Sequence, residues 1–420
     1  MRALLVLALA SCTHDIAVFD RVDVATARDL DILYVFDNSS DRGSYDQMAS
    51  QLDVLQRQLA SVDGQLPNLH IGVATTDLGT RGRLDSIAGP PVGNCAFDGD
   101  AGKLRAFQSG VPASGFLEDL RGPGGTRIRN FASGDLGREL GLLTNPAPGT
   151  ASAGCDYEQP LEAMRRALDP QNNPGFIRPG AMLSVVFLTT EDDCSFSHGA
   201  LLDPLDATLG PPFSFRCTEQ GVICDADDPR APGVRTNCRP RDGSPFTIDV
   251  SDYRMFLEKF KPNPRDVIVS AVAGPRSSFE VQDIGIPVLA PSCKGAGGQA
   301  TPAVRIGSLV DSFGGALVNG CTQEAAYQQI TAPFVNRQRS CFPNLRRSDG
   351  EDCTVTEVAD GVETDLTRCI GTDGNVQGPC WYTYVDAAIC PGGDHIGIAI
   401  NRGNSTAPVN SRINATCFAE

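Results

Sequence analysis

The sequence predicts an α/β protein built on a doubly wound, mostly parallel sheet. Three segments are apolar at nearly every position: Ile32–Phe36, Met182–Leu188 and Asp266–Ala273. Continuous apolar runs are typical of strands that are covered on both faces. Segments with helical spacing alternate with these strands over roughly 300 residues, which favours a parallel sheet between two layers of helices.

The elements follow one another in a regular order. The first strand, Asp31–Asp37, precedes a helix over about Tyr45–Ala60 and a strand over Leu69–Thr76. Residues 79–149 are rich in Gly, Pro and Arg, so we expect a long connection with one or two edge strands. A helix opens near Asp156. The remaining predictions are helices at Ser251–Lys261, Arg305–Phe313 and Thr322–Arg339, a short strand at Ala316–Asn319, and long insertions over 194–248 and 275–302.

The amino-acid composition of the chain changes near residue 340. Six cysteines fall between Cys341 and Cys417, among short β-prone pieces such as Cys353–Val358 and His395–Asn401. We therefore expect an α/β domain over 30–339 and a small Cys-rich β module over 340–420.

The N-terminus has the pattern of an export signal. One positive charge, Arg2, precedes a short apolar run, and Leu9-Ala10-Ser11-Cys12 resembles the lipobox of bacterial lipoproteins. This resemblance implies a signal peptide over 1–11, a lipid on Cys12 and a membrane-anchored tether over 12–29. An ordinary secretory signal cut nearby is the alternative. Either predicts an exported protein, and a lipid anchor predicts the cell envelope, at the outer membrane or cell surface.

Cysteine usage points to an oxidising compartment. The chain has 15 cysteines, and setting Cys12 aside leaves 15 − 1 = 14, an even number that can pair completely. There is no Cys-x-x-Cys and there are only four histidines, so zinc sites and thioredoxin-like chemistry are disfavoured. We expect disulfides that pin the insertions, with a connectivity that the spacing leaves open.

Charge and motifs exclude several function classes. The net charge of −16 argues against nucleic acid as a partner, because binding phosphates needs clustered Lys and Arg. Neither a nucleophile elbow, nor a phosphate-binding loop, nor a dinucleotide glycine pattern is present. We therefore expect a binding protein and not an enzyme.

Oxygen-bearing side chains follow the first strand directly. Asp37, Ser39 and Asp41 stand at alternate positions where a parallel strand delivers its carboxyl end, the edge at which open α/β sheets bind ligands. Three such donors suit a hard divalent cation. The alternative is a cluster that caps the following helix.

This pattern resembles the metal-ion-dependent adhesion site of von Willebrand factor type A (VWA) domains, which reads Asp-x-Ser-x-Ser. Asp37 and Ser39 match, and Asp41 stands in place of the second serine. Further segments resemble exported, cysteine-containing bacterial proteins with this domain, in the order Asp31–Ser39, Ile71–Asp77, Tyr157–Ala163, Val185–Cys194 and Asp311–Gly315. The resemblance covers about 30–339 and implies a Rossmann-like VWA fold.

The resemblance also implies a site made by three loops and holding Mg²⁺ or Mn²⁺. The second loop would supply Thr150, with Ser152 as the alternative. The third loop reads Thr189-Thr190, so Thr190 replaces the family's Asp, and Glu191 and Asp192 follow as further candidates. Asp41 would conserve the charge of the site if it took over the role of the missing Asp.

Two functions follow from these expectations. In the first, the VWA domain binds a protein or other macromolecule, and the metal receives an acidic side chain of that partner. In the second, the metal site is vestigial and the chain is a metal-free structural or scaffold lipoprotein of the surface.

Overall fold

The computed structural model describes most of the 420-residue chain. The described residues are 18–24, 29–39, 52–60, 66–83, 86–95, 97–105, 114–122, 126–132, 134–144, 154–277, 279–323, 325–338, 340–342, 351, 353–359, 362–369, 379–385, 395–401 and 412–419. The chain divides into two compact units. The core unit is Ala27–Gln338, and the terminal unit combines Met1–Thr26 with Arg339–Glu420.

A seven-stranded mixed sheet forms the centre of the core unit. Its strands are β2 (Leu30–Phe36), β3 (Leu69–Thr75), β4 (Phe116–Arg121), β5 (Arg127–Arg129), β6 (Met182–Leu188), β10 (Val267–Ala273) and β15 (Leu317–Asn319). They lie in the order β15-β10-β6-β2-β3-β4-β5. The first five in that order pair in parallel, while β4 and β5 pair antiparallel at one side of the sheet, with β5 at its edge. The predicted α/β class is therefore confirmed, and the sheet is mixed.

Helices cover both faces of this sheet. They are α1 (Leu52–Ala60), α2 (Leu136–Thr144), α3 (Pro160–Ala167), α5 (Val250–Glu258), α6 (Val304–Phe313) and α7 (Ala326–Gln338). Ile32 and Tyr34 of β2 point into a core with α1, α2 and α7, whereas Leu33 and Val35 point into a core with α3, α5 and α6. Alternate residues of β2 thus enter opposite cores, which is why the strand is apolar at every position from Ile32 to Phe36.

The helices differ from their predicted bounds at a few points. Helix α1 begins at Leu52, and the predicted positions 45–51 lie outside the described residues. Helix α3 begins at Pro160 and not near Asp156, since proline is favoured in a first helical turn and the preceding residues take part in other contacts. The sequence did not predict α2, which lies in the connection over 79–149.

The insertions consist of short elements joined by disulfides. They contain α4 (Ser214–Gly221) and the strands β7 (Val222–Ile223), β8 (Gly233–Val234), β9 (Arg239–Pro240), β11 (Glu280–Asp283), β12 (Pro287–Leu289), β13 (Cys293–Gly295) and β14 (Gly298–Ala300). Disulfides join Cys95 to Cys155, Cys194 to Cys217, Cys224 to Cys238 and Cys293 to Cys321. These bonds confirm the predicted pinning and supply pairs that spacing left open.

The terminal unit is a second seven-stranded sheet. Its strands are β1 (Val18–Val24), β16 (Ser340–Phe342), β17 (Thr354–Ala359), β18 (Val362–Arg368), β19 (Cys380–Val385), β20 (Ile396–Asn401) and β21 (Arg412–Ala419), in the order β1-β21-β17-β18-β19-β20-β16. Disulfides join Cys353 to Cys417 and Cys369 to Cys380. The Trp381 indole in its core donates to the Leu366 carbonyl at 3.1 Å.

Part of the segment that the sequence assigns to a tether is a strand. Residues Val18–Val24 pair antiparallel with β21, with Val18 opposite Ala419 and Val24 opposite Ile413. The valines at 18, 22 and 24 fall on alternate positions, the period of a strand. A strand paired along its whole length with β21 is thus formed in a segment for which we expected only a tether.

Within the described part of the chain, no helix has the length and apolar character needed to span a bilayer.

Candidate metal site at the carboxyl edge of the sheet

Strand register brings three loops to one edge of the core sheet. Phe36 of β2 lies opposite both Thr75 of β3 and Leu188 of β6. Parallel strands that end at the same level release their next residues side by side. Asp37, Thr76 and Thr189 therefore emerge together, although the sequence separates them widely.

Asp37 is the centre of this edge. Its side chain is buried with 0% exposure and accepts hydrogen bonds on both oxygens. The Ser39 backbone N–H and hydroxyl donate to Oδ1 at 2.9 and 2.7 Å. The Thr189 hydroxyl donates to Oδ2 at 3.2 Å, and the Thr190 backbone N–H donates to it at 3.4 Å. The structure thus brings together Asp37, Ser39 and the third loop, as the resemblance implied.

The third loop presents Thr189 to Asp37 where the sequence singled out Thr190. The Thr189 hydroxyl also accepts from the Glu191 backbone N–H at 3.1 Å. Thr190 contributes its backbone to Asp37, and its carbonyl accepts from the Thr301 N–H at 2.9 Å. The hydroxyl that contacts Asp37 therefore comes from the residue before the predicted one.

Glu158 lies in the same cluster, and the sequence analysis did not identify it. The Thr76 hydroxyl donates to its Oε2, and the Cys194 backbone N–H donates to its carbonyl at 2.7 Å. Burial raises the pKa of Glu158 well above its ordinary value, the negative charges of Asp37 and Glu191 raise it further, and hydrogen bonds from Thr76 and Ser39 lower it. The sequence signal for Glu158 was its position two residues before Pro160, which starts α3. A carboxylate at that position lies outside the helix, so no face of α3 explains it.

Asp192, one of the predicted metal candidates, contacts the start of α6. Its two oxygens accept from the backbone N–H groups of Val304, Arg305 and Ile306 at 2.9–3.1 Å. Those groups open α6 and have no partner inside the helix, so a carboxylate there caps it. Burial raises the pKa of Asp192 to about 6, despite these hydrogen bonds and the nearby Arg305 charge.

Asp193 caps the start of α3 in a similar way. Its Oδ1 accepts from the Leu161 backbone N–H at 3.0 Å, and its Oδ2 accepts from Arg305 at 3.0 Å. The Ser195 hydroxyl donates to Asp193 and accepts from the Glu162 N–H at 2.9 Å. The acidic run after β6 is therefore a helix-capping device as well as a neighbour of the site.

Three predicted positions lie outside the described residues: Asp41, Thr150 with its alternative Ser152, and the lipidation candidate Cys12.

The donors at this edge fit a hard cation in chemical type. Carboxylates of Asp37 and Glu158 and hydroxyls of Ser39, Thr76 and Thr189 are all oxygen ligands, as Mg²⁺ and Mn²⁺ prefer. Over the described ranges, no group of three or more His, Cys, Asp or Glu side chains is arranged to hold a metal ion. A site here would consequently depend on hydroxyls alongside two carboxylates. One buried oxygen of Glu158, Oε1, has no hydrogen-bond partner among the described residues, which leaves a lone pair for such an ion.

Comparisons with known proteins do not assign this chain to a family. No family model and no curated protein matches the sequence. Among solved structures, a pilus adhesin from Streptococcus pneumoniae aligns with 10% identity and a TM-score of 0.31, over 95% of this chain and 57% of that one. An adhesive tip pilin from Group B Streptococcus agalactiae aligns with 9% identity and a TM-score of 0.28, over 96% of this chain and 81% of that one. The chain spans little more than half of the first, and these scores are too low to establish a common fold.

Proposed function

We propose that this chain is an exported lipoprotein of the cell envelope, and that its core unit is a doubly wound VWA-type domain. The domain binds a protein or other macromolecule through a divalent cation held beside Asp37. One observation carries the proposal: oxygen donors from the ends of β2 and β6 converge on the buried carboxylate of Asp37. Carboxyl edges of parallel sheets are where α/β proteins bind ligands.

Each residue of the cluster has a distinct part in this proposal. Asp37 supplies negative charge from a rigid position at the end of a central strand. Ser39 and Thr189 orient its two oxygens and offer neutral hydroxyls to Mg²⁺ or Mn²⁺. The cation would supply an electrophilic centre for an acidic side chain of the partner.

The charge of the chain favours a role for the cation in binding such a partner. A protein with a net charge of −16 repels an acidic ligand at long range. A cation between two carboxylates turns that repulsion into attraction at the point of contact. Binding of an acidic partner should therefore weaken when the metal is removed.

Export is supported by the disulfides. Six of them are formed among the described residues, and such bonds persist in oxidising compartments outside the cytosol. The lipid on Cys12 is the finer part of the proposal. Detergent-phase partition of the protein and of Cys12→Ser tests it, with the parent expected in the detergent phase and the variant in the aqueous phase. Equal partition of the two would contradict a lipid on Cys12.

Binding of poly-glutamate to the immobilised protein tests the proposed function, with poly-glutamine as the uncharged control. We expect Mg²⁺-dependent retention of poly-glutamate that EDTA abolishes and that Asp37→Asn loses. Retention that is the same in EDTA, or the same for Asp37→Asn, would contradict a metal-bridged interaction.

A metal-free scaffold is the alternative function. Two observations favour it: Asp192 is used for capping, and the described residues hold no cluster of three metal-ligating acids, histidines or cysteines. In that case the disulfide-joined insertions would carry recognition. A Mn²⁺ titration separates the two functions, because the scaffold predicts no binding at Asp37.

A further inference from the structure

We propose that Glu158 supplies the second carboxylate of the cation site, in place of the acid that is missing at position 190. This inference rests on the metal site of the proposed function and adds one ligand to it. The observation behind it is the Oε1 oxygen of Glu158, which is buried and makes no hydrogen bond to any described residue. The whole residue is only 1% exposed, so this oxygen is shielded from bulk solvent.

The surroundings of Glu158 hold this oxygen in the cluster. The Thr76 hydroxyl engages Oε2 and so fixes the orientation of the carboxylate. The following residue, Gln159, donates its N–H to the Thr76 carbonyl at 3.2 Å, which ties the segment to the end of β3. The disulfide between Cys95 and Cys155 constrains the same segment three residues earlier. Glu158 is thus a preorganised side chain and not a mobile one.

Several buried carboxylates elsewhere in the core unit have cationic partners, whereas Asp192 is held by backbone N–H groups. Asp31 lies 2.8 Å from Arg178, Asp193 lies 3.0 Å from Arg305, and Asp119 lies 2.8 Å from Arg127. In the described part of the chain, neither Asp37 nor Glu158 forms an ion pair with Lys, Arg or His. A pair of buried acids without a protein cation is stabilised either by a proton on one of them or by a bound metal ion.

The ligand chemistry selects the class of ion. Two carboxylates and neighbouring hydroxyls form an all-oxygen set, which takes a hard divalent cation such as Mg²⁺ or Mn²⁺. Such a set has one carboxylate from the loop after β2 and one from the segment before α3. The cation would therefore join two parts of the chain that strand pairing alone does not connect.

Calorimetric titration of the purified protein with Mn²⁺ tests this inference, using Glu158→Gln beside Glu162→Gln. Both substitutions replace a buried glutamate with its neutral isostere, but Glu162 lies one helical turn further on and pairs with Arg166. We expect Glu158→Gln to weaken Mn²⁺ binding by more than about 100-fold, since even outer-shell partners of metal ligands contribute roughly 10–100-fold. Glu162→Gln should bind Mn²⁺ as the parent does.

Thermal unfolding supplies a second readout that does not depend on calorimetry. Without metal, Glu158→Gln should be at least as stable as the parent, because it replaces a buried ionisable group next to Asp37 with a neutral one. Mn²⁺ should raise the melting temperature of the parent but not that of the variant. An equal Mn²⁺-induced rise in both would overturn the assignment of Glu158 while leaving a site at Asp37. No Mn²⁺ binding by the parent would overturn the assignment and the metal-dependent function together.

Discussion

Thr189 donates a hydrogen bond from its hydroxyl to Asp37 Oδ2 over 3.2 Å, although 152 residues separate the two in the chain. Parallel pairing of β2 with β6 brings about this contact, since Phe36 and Leu188 are register partners. The contact fixes one oxygen of Asp37 while Ser39 fixes the other. The candidate site is therefore a product of sheet register and not of one local motif.

Thr189→Val should weaken cation binding more than Thr190→Val. The first substitution removes the hydroxyl that orients Asp37, and loss of such an orienting partner typically costs about 10–100-fold in metal affinity. The second keeps the backbone N–H through which Thr190 contacts Asp37. Calorimetric titration with Mn²⁺ measures both variants. A larger loss for Thr190→Val would show that the sequence-based assignment of Thr190 was the better one.

Asp192→Asn should lower stability while leaving cation binding intact. Its carboxylate accepts from three backbone N–H groups at the start of α6, and an amide offers only one acceptor oxygen. Loss of an N-terminal cap typically costs about 0.5–2 kcal/mol. Chemical denaturation and Mn²⁺ titration give the two quantities. Loss of Mn²⁺ binding with unchanged stability would return Asp192 to the metal site.

Arg305→Met should be among the most destabilising single substitutions in the core unit. Arg305 is fully buried and pairs with Asp193, which is also buried. Removal of one partner of a buried ion pair typically costs about 3–5 kcal/mol, because the other charge stays buried without compensation.

The matched control is Arg254→Met on α5. Arg254 and Glu258 are half exposed and lie 3.7 Å apart, and pairs of that kind contribute roughly 0–1 kcal/mol. Denaturation curves of the two variants should differ clearly. Similar midpoints would mean that Asp193 finds another partner when Arg305 is removed.

Acidification should destabilise the core unit through His70. The Nδ1 atom of His70 lies 2.7 Å from the Phe176 carbonyl oxygen, and burial, assisted by the Arg178 charge, lowers its pKa from 6.5. Below pH 6.5 the unfolded chain binds a proton that the native imidazole does not, so stability falls as the pH drops through that value. His70→Asn keeps a hydrogen-bond donor near the Phe176 carbonyl but has no imidazole to protonate. The stability of this variant should therefore depend less on pH around that value. If the stability of variant and parent depended on pH in the same way, His70 would not be the source of the acid destabilisation.

Much of the fold was predictable because the sheet is covered on both faces. Met182–Leu188 is a strand at the predicted bounds, since a run that faces two cores is apolar at nearly every position up to its ends. Helix α2 was missed because it lies among Gly-, Pro- and Arg-rich loops that dilute its spacing pattern. The strand β1 was missed because its partner, β21, lies at the other end of the chain.

The site was predictable only where one segment carries it. Asp37 and Ser39 are two residues apart, and their contact is local, so the motif alone indicates it. Glu158 was not recognised because its contact with Thr76 spans 82 residues. The capping contacts of Asp192 were not predicted because its partners belong to a helix 112 residues away, and nothing near it in the sequence indicates that role.

Anomalous diffraction from crystals grown with Mn²⁺ tests the central claim most directly, since it locates the ion without reference to stability or affinity. The account predicts an anomalous peak at the carboxyl edge of the core sheet, beside the carboxylate of Asp37 and absent from crystals of Asp37→Asn. A peak elsewhere in a Mn²⁺-binding protein, or an ordered Asp37 with no ion beside it at saturating Mn²⁺, would contradict the account.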